Sequence, residues 1–178
     1  MNEIKTLTLK KVLDDFCEEY VRRLKEVLLE NGHKASGDLI KSLRTAIVTS
    51  STTIKVVLIS ANYLKYVDYG RKAGKKPPYE AIRKWVEDKH LNPTGERYDR
   101  LPTEEKKLDA LAYAIKNSIG KMGTLKEYGY GAHGGAYSDK VLDELLPKYK
   151  PLFENALQKD FEIAANAYVD DLMGAIRV

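Results

Sequence analysis

The 178-residue chain has one cysteine, Cys17, and three histidines, His33, His90 and His133. A single thiol cannot build an internal disulfide framework or a cysteine-rich zinc site, and it suits a reducing compartment. No two histidines stand at a metal-ligand spacing, and His33 and His90 fall near helix ends, where imidazoles meet the C-terminal dipole. No apolar run approaches the ~20 residues that a bilayer span requires, so no membrane partner is expected. The start, Met1-Asn2-Glu3-Ile4-Lys5, has neither the apolar core nor the cleavage site of a signal peptide, so the expectation is synthesis in a cytoplasm. Motifs of chemistry are missing too. The one glycine-rich stretch lacks the Gly-Lys-Ser/Thr ending of a phosphate loop, and Gly129-Tyr130-Gly131 neither follows a strand nor opens a helix. No nucleophile elbow occurs. The expectation is a protein without cofactor, metal or catalytic residues.

Charge of one sign is also in short supply. Thirty basic residues against 26 acidic ones leave a net charge of +4, too little to imply nucleic-acid binding by itself. The basic residues concentrate at Arg71, Lys72, Lys75 and Lys76. That cluster reads either as a solvated loop or as a surface for DNA phosphates or an acidic neighbour. The acidic pairs Asp14-Asp15, Glu18-Glu19, Glu87-Asp88 and Asp170-Asp171 each lie in an amphipathic stretch, which a solvated face explains. Asp38 with Glu87, Asp88 and Lys89 is the one set that a metal-dependent nuclease could use, and its spacing is no better than chance. Aromatic choice is skewed, with twelve tyrosines against three phenylalanines and one tryptophan. Tyrosine suits surfaces that a partner buries, because its hydroxyl keeps a polar contact.

Leu9, Val12, Leu13, Phe16, Tyr20, Leu24, Val27 and Leu28 recur at three- and four-residue steps, which predicts a long amphipathic helix. Thr8 is its expected N-cap and Asn31-Gly32 its stop; Cys17 beside the stripe reads as a packing residue. A short helix follows Gly37. Arg44–Thr49 and Thr53–Ser60 are β-favouring runs joined by Ser50-Ser51-Thr52, hence a hairpin. The second run is apolar on both faces (Ile54, Val56, Leu58 against Val57, Ile59), so it is expected to be covered on both sides at least in part. The hairpin edge stays available unless another strand or subunit covers it. Helical pattern resumes at Tyr63–Gly70, at 79–90 after Pro77-Pro78, and from Thr103 to Gly123. Residues 128–137 hold four glycines, either a loop that orders against a neighbour or plain linker. A short helix at 141–146 is expected to stop at Pro147, with a long amphipathic helix after Pro151. Together these predict a single α+β domain spanning 1–178. A small antiparallel sheet built on the hairpin is flanked by long N- and C-terminal helices, with a helical insertion at about 79–123 and a Gly-rich loop at about 124–138.

Two segments carry a resemblance. Gly37-Asp38-Leu39-Ile40-Lys41-Ser42-Leu43 resembles a "Gly-x-Leu-x-x-Ser" helix start. Tyr63-Leu64-Lys65-Tyr66-Val67-Asp68-Tyr69-Gly70 is similar to a "Tyr-Ala-x-Tyr-Val-Glu-Tyr-Gly" segment, with Asp68 where Glu is commoner, and Pro77-Pro78-Tyr79 follows. In this order they resemble the neck and tail-completion proteins of tailed bacteriophages, the head–tail joining family. The stretches Leu111–Ile115 and Ile119–Thr124 resemble an insertion found in some members. The resemblance implies a structural virion protein, made in the bacterial host cytoplasm and located in the neck or tail, not an enzyme. Its partners would be copies of itself in a ring, other neck, portal-adaptor or tail proteins, and DNA passing through without sequence recognition. On that reading Tyr63, Tyr66, Tyr69, Tyr128, Tyr130 and Tyr137 are candidate subunit contacts. Arg71, Lys72, Lys75 and Lys76 would face the DNA or an acidic partner. The alternatives are a small metal-dependent nuclease and a stand-alone DNA-binding module.

Overall fold

The computed structural model describes residues 7–50, 53–124 and 136–176. In chain order the elements are α1 (Leu7–Glu30), α2 (Asp38–Ser42), β1 (Arg44–Thr49), β2 (Ile54–Ile59), α3 (Leu64–Asp68), α4 (Tyr79–Asp88), α5 (Glu96–Asp99), α6 (Glu104–Met122) and α7 (Tyr137–Ile176). The fold is α+β, with long helices at both ends and a two-stranded antiparallel sheet. It falls into two compact units. One comprises residues 1–24, 44–58 and 139–178, the other 25–43 and 59–138.

In the first unit the stripe of α1 packs on α7. Leu9, Phe16, Cys17, Tyr20 and Leu24 are buried from one helix, and Val141, Leu145, Tyr149 and Ala156 from the other. Phe16 is the centre. It meets Tyr149 and Phe153 edge-on, at 5.2 and 5.7 Å between ring centroids, and stacks on Tyr20 at 5.9 Å. Polar contacts fix the register of the pair. Arg23 Nε donates to Glu144 at 3.0 Å, and Lys148 Nζ and the Tyr149 hydroxyl both reach Glu19, at 2.6 Å to Oε2. The Lys148 and Tyr149 hydrogen bonds hold the Glu19 carboxyl below its ordinary range. Burial first, then the adjoining carboxylate, pushes the Tyr149 hydroxyl up to about 12.

The N-terminus of α1 is capped from afar. Thr8, expected to be the cap, lies inside the helix. Its amide and that of Leu9 donate to the buried Asp160 carboxylate at 3.3 and 3.0 Å. The two amides are among those a helix start leaves unpaired, so a carboxylate there satisfies them and meets the positive dipole end. The opposite end follows expectation. Gly32 at φ +70° receives the chain, with Gly32 N bonded to Leu29 O and His33 N to Leu28 O.

The largest departure from expectation is α7. Pro147 and Pro151 lie inside one continuous helix rather than between two. Proline removes an i→i−4 bond and crowds a carbonyl, which costs about 3 kcal/mol in a helix interior. Both prolines sit on the solvent side, four residues apart, where water can serve the released carbonyls. The buried face beside them is held by Leu145 and Tyr149, each worth roughly 1.5–3 kcal/mol of apolar burial. Tertiary packing therefore outweighs the local breakers.

The hairpin closes through Ser50 N to Thr53 O at 2.8 Å, with the two hydroxyls 2.7 Å apart. That pairing places Thr45, Ile47 and Thr49 on one face with Ile54, Val56 and Leu58. Ala46 and Val48 lie on the other with Val57 and Ile59, flanked by Arg44 and Lys55. The first face lines a groove of about 560 Å³ with Lys10, Leu13, Asp14, Cys17 and Glu18 of α1. Among the described residues, cover on the second strand is partial: Ile54, Val56 and Val57 are exposed, while Leu58 and Ile59 are half-buried.

In the second unit, Leu28, Leu39, Leu43, Leu64, Val86 and Ala112 are buried. Arg83 Nε joins Asp109 Oδ1 at 2.6 Å, and the Tyr79 hydroxyl donates to the same oxygen at 2.9 Å, tying α4 to α6. Thr103 caps α6 by accepting from Lys106 N at 3.3 Å.

Replacing Asp160 with Ala leaves the Thr8 and Leu9 amides unpaired. The expected loss is about 1–2 kcal/mol in urea unfolding, with Asp160→Asn recovering part of it. An Ala variant as stable as the parent would contradict the cap.

Candidate interaction surface

The residues of the helix-start motif turn out to be fasteners. Gly37 precedes α2 at φ +86°, a left-handed conformation in open space, so backbone freedom and not crowding asks for glycine. Leu39 is buried. Ser42 Oγ donates to Leu39 O at 2.7 Å and accepts from Ala61 N at 2.8 Å. One hydroxyl thus ends α2 and anchors the chain where the tyrosine segment begins.

That segment forms α3. Leu64 and Asp68, four residues apart on one helical face, turn inward and are buried. Asp68 Oδ1 accepts from Ser138 N at 3.0 Å, and its other oxygen accepts from the Ser138 hydroxyl. Ser138 lies in the first turn of α7, so the motif's carboxylate caps a helix start. Its partner, 70 residues away, is not visible from the sequence around Asp68.

Tyr63, Tyr66 and Tyr69 stay on the outside at three-residue intervals, all 40 % or more exposed. The Tyr63 hydroxyl is raised by partial burial, against a hydrogen bond to the Leu39 backbone. Tyr66 has two cations against its ring, Lys65 Nζ at 5.1 Å and the Arg71 guanidinium at 4.9 Å. Tyr137 does not belong to this row. It is buried, with its hydroxyl 3.0 Å from His33 Nε2 and the two rings edge-on at 5.1 Å. Tyr128 and Tyr130 lie outside the described residues.

The basic segment is strapped to the end of α6. Arg71 N donates to Thr124 Oγ1 and Thr124 N returns to Arg71 O, both at 2.8 Å; Gly74 N bonds Gly120 O at 2.8 Å. Gly123 at φ +72° permits the close pass, because a Cβ there would lie 2.3 Å from Arg71 O. The stem of Lys76 lies over Gly120, where a Cβ would come within 2.5 Å of its Cγ. Arg71 Nε also donates to Lys75 O at 3.2 Å. Lys72 and Lys75 point to solvent, and Lys121 at the last turn of α6 is exposed nearby in sequence to the same clasp. Cations at a helix C-terminus meet the negative end of its dipole, which favours this placement. The result is an exposed tyrosine row continuous in sequence with a fixed basic clasp.

The set considered for metal chemistry is differently engaged. Glu87 pairs with Arg83 at 2.6 Å, Asp88 with Lys84 at 3.0 Å, Asp38 accepts from Ser36 Oγ at 2.7 Å, and Lys89 donates to Gly32 O. Among the described residues no three His, Cys, Asp or Glu side chains gather to hold a metal. Cys17 is buried, and burial pushes its thiol up, as suits a packing residue. No described helix is long and apolar enough to cross a membrane. No family model, curated protein or solved structure matches the chain.

Burial first, then the nearby Lys89, holds the His33 imidazole below its ordinary 6.5. The unfolded chain therefore binds the proton first. Its contribution to stability is complete above pH 6.5 and is lost as pH falls through the lowered folded value. Unfolding free energy should decline as pH falls below about 6.5, and His33→Gln should flatten that part of the profile. An unchanged profile would contradict the burial of a neutral His33.

Proposed function

We infer that this protein is an assembly component, a structural protein that forms a ring at the head–tail junction or upper tail of a tailed bacteriophage. The observation that carries the reading is the amount of large apolar side chain left in water. Ile54, Val56 and Val57 of the sheet, Tyr63, Tyr66 and Tyr69 of the tyrosine row, and Leu157, Phe161, Tyr168 and Leu172 of α7 are all exposed. Single exposed hydrophobics are ordinary, but this many large ones on three elements support a reading of surfaces meant for partners. The resemblance of the Gly37–Leu43 and Tyr63–Gly70 segments to neck and tail-completion proteins supplies the kind of assembly. In such a ring the clasp of Arg71, Lys72 and Lys75 would hold passing DNA by its phosphates, without reading bases, or would meet an acidic neighbour.

The metal-dependent nuclease and the stand-alone DNA-binding module are the competing readings. The separate pairing of Glu87, Asp88 and Asp38 does not favour the first, and no observation favours the second.

Lys72 and Lys75 are the basic residues to change, since Arg71 and Lys76 also support the clasp. A Lys72→Ser/Lys75→Ser double variant should unfold like the parent yet give at least tenfold fewer DNA-retaining infectious particles in a complementation assay. Normal particle yield with the folded variant would contradict the role of the clasp. Absence of the protein from purified particles would contradict the reading as a whole.

A further inference from the structure

Packing of α7 on α1 ends at Asp160, the residue that caps the start of α1. The helix nevertheless continues to Ile176, about 24 Å further at 1.5 Å per residue. Nothing among the described residues covers this overhang. Phe161 is 73 % exposed and Tyr168 66 %, with Val169, Leu172 and Met173 exposed beside them. At 100° per residue Phe161, Ala165, Tyr168 and Leu172 follow one another along a single face, at the four- and three-residue steps of a helix-packing seam. Glu162 and Asp171 flank that face on either side. The stretch 161–176 holds Glu162, Asp170 and Asp171 and no basic residue.

The outer face of the hairpin has the opposite character. Val48 is 53 % exposed and Val57 41 %, with Ala46 between them. Arg44 and Lys55 frame them, and 44–60 contains no acidic residue. A two-stranded sheet is marginal alone in water and needs cover to be stable. Each chain therefore carries one apolar acidic helix face and one apolar basic sheet face, and neither is covered among the described residues.

We propose that the α7 overhang of one copy lies across the outer hairpin face of a second copy, with Glu162 and Asp171 near Arg44 and Lys55. The two surfaces differ, so the contact is heterologous and repeats from copy to copy until a ring closes. A helical face of this length removes on the order of 500 Å² per partner, near the lower limit of ~1,000 Å² in total for a specific interface. In a closed ring each copy makes the contact twice, which doubles the area holding it. The inference rests on the ring reading above and names the surfaces that build it.

The test uses full-length chains with Cys17→Ala, one carrying Val57→Cys and the other Leu172→Cys, mixed and mildly oxidised. The expected result is a disulfide-linked pair at least tenfold more abundant in the mixture than in either chain alone. In the parent, Arg44→Glu with Lys55→Glu should reduce assembly at least tenfold, and adding Glu162→Lys and Asp171→Lys should restore it. Assembly that persists with no mixed pair overturns this contact and leaves the ring reading standing. Linkage only between two Leu172→Cys chains overturns it in favour of a helix–helix contact. A chain that never self-associates and forms no mixed pair overturns it too, and particle composition then decides the ring reading separately.

Discussion

The antiparallel pairing of α1 and α7 is the contact on which the first unit depends. It is pinned at one end by Arg23 on Glu144, in the middle by Phe16 among Tyr149 and Phe153, and at the other end by Asp160 on the first amides of α1. Two prolines inside α7 oppose a continuous helix by roughly 3 kcal/mol each. The burial of Val141, Leu145, Tyr149 and Ala156, together with the aromatic contacts, exceeds that opposition. Because the prolines face solvent, the cost falls where water can meet it. The same pairing decides where support stops, for beyond Asp160 α7 has no described neighbour.

A second constraint acts on the resembled motifs. Gly37, Leu39, Ser42 and Asp68 serve the fold, through a left-handed turn, a buried leucine, a bridging hydroxyl and a helix cap. With those positions committed inward, the tyrosines between them are left outside. The motif thus builds a scaffold that displays Tyr63, Tyr66 and Tyr69 beside the clasp of Arg71 to Lys76. On the proposed reading, such a support under the aromatic row would keep the entropic cost of ordering low on partner binding.

Periodicity revealed most of the fold. The stripe from Leu9 to Leu28, the hairpin runs and the stripe ending at Gly123 correspond to α1, β1 with β2, and α6. What escaped was tertiary. No local pattern links Asp160 to Thr8, or Asp68 to Ser138, across 152 and 70 positions. Pro147 and Pro151 carry a strong local stop signal, and only packing on α1 overrides it. The stop of α4 was obscured because His90, at φ 50°, takes the left-handed position that glycine usually marks. The tyrosines of the candidate surface were legible as a group, yet Tyr137 turned inward to His33 because its sequence neighbours say nothing of that partner. The apolar character of both faces of β2 led to an expectation of partial cover, and among the described residues that cover reaches only Leu58 and Ile59.

On the proposed ring reading, the apolar faces left exposed among the described residues are the surfaces that further copies would cover. Native mass spectrometry of the full chain over a wide concentration range tests it most directly. The expected result is a discrete high-order species, such as a hexamer or dodecamer, that grows in with concentration at the expense of monomer. A strict monomer at every concentration would contradict a protein whose exposed apolar faces are covered by its own copies.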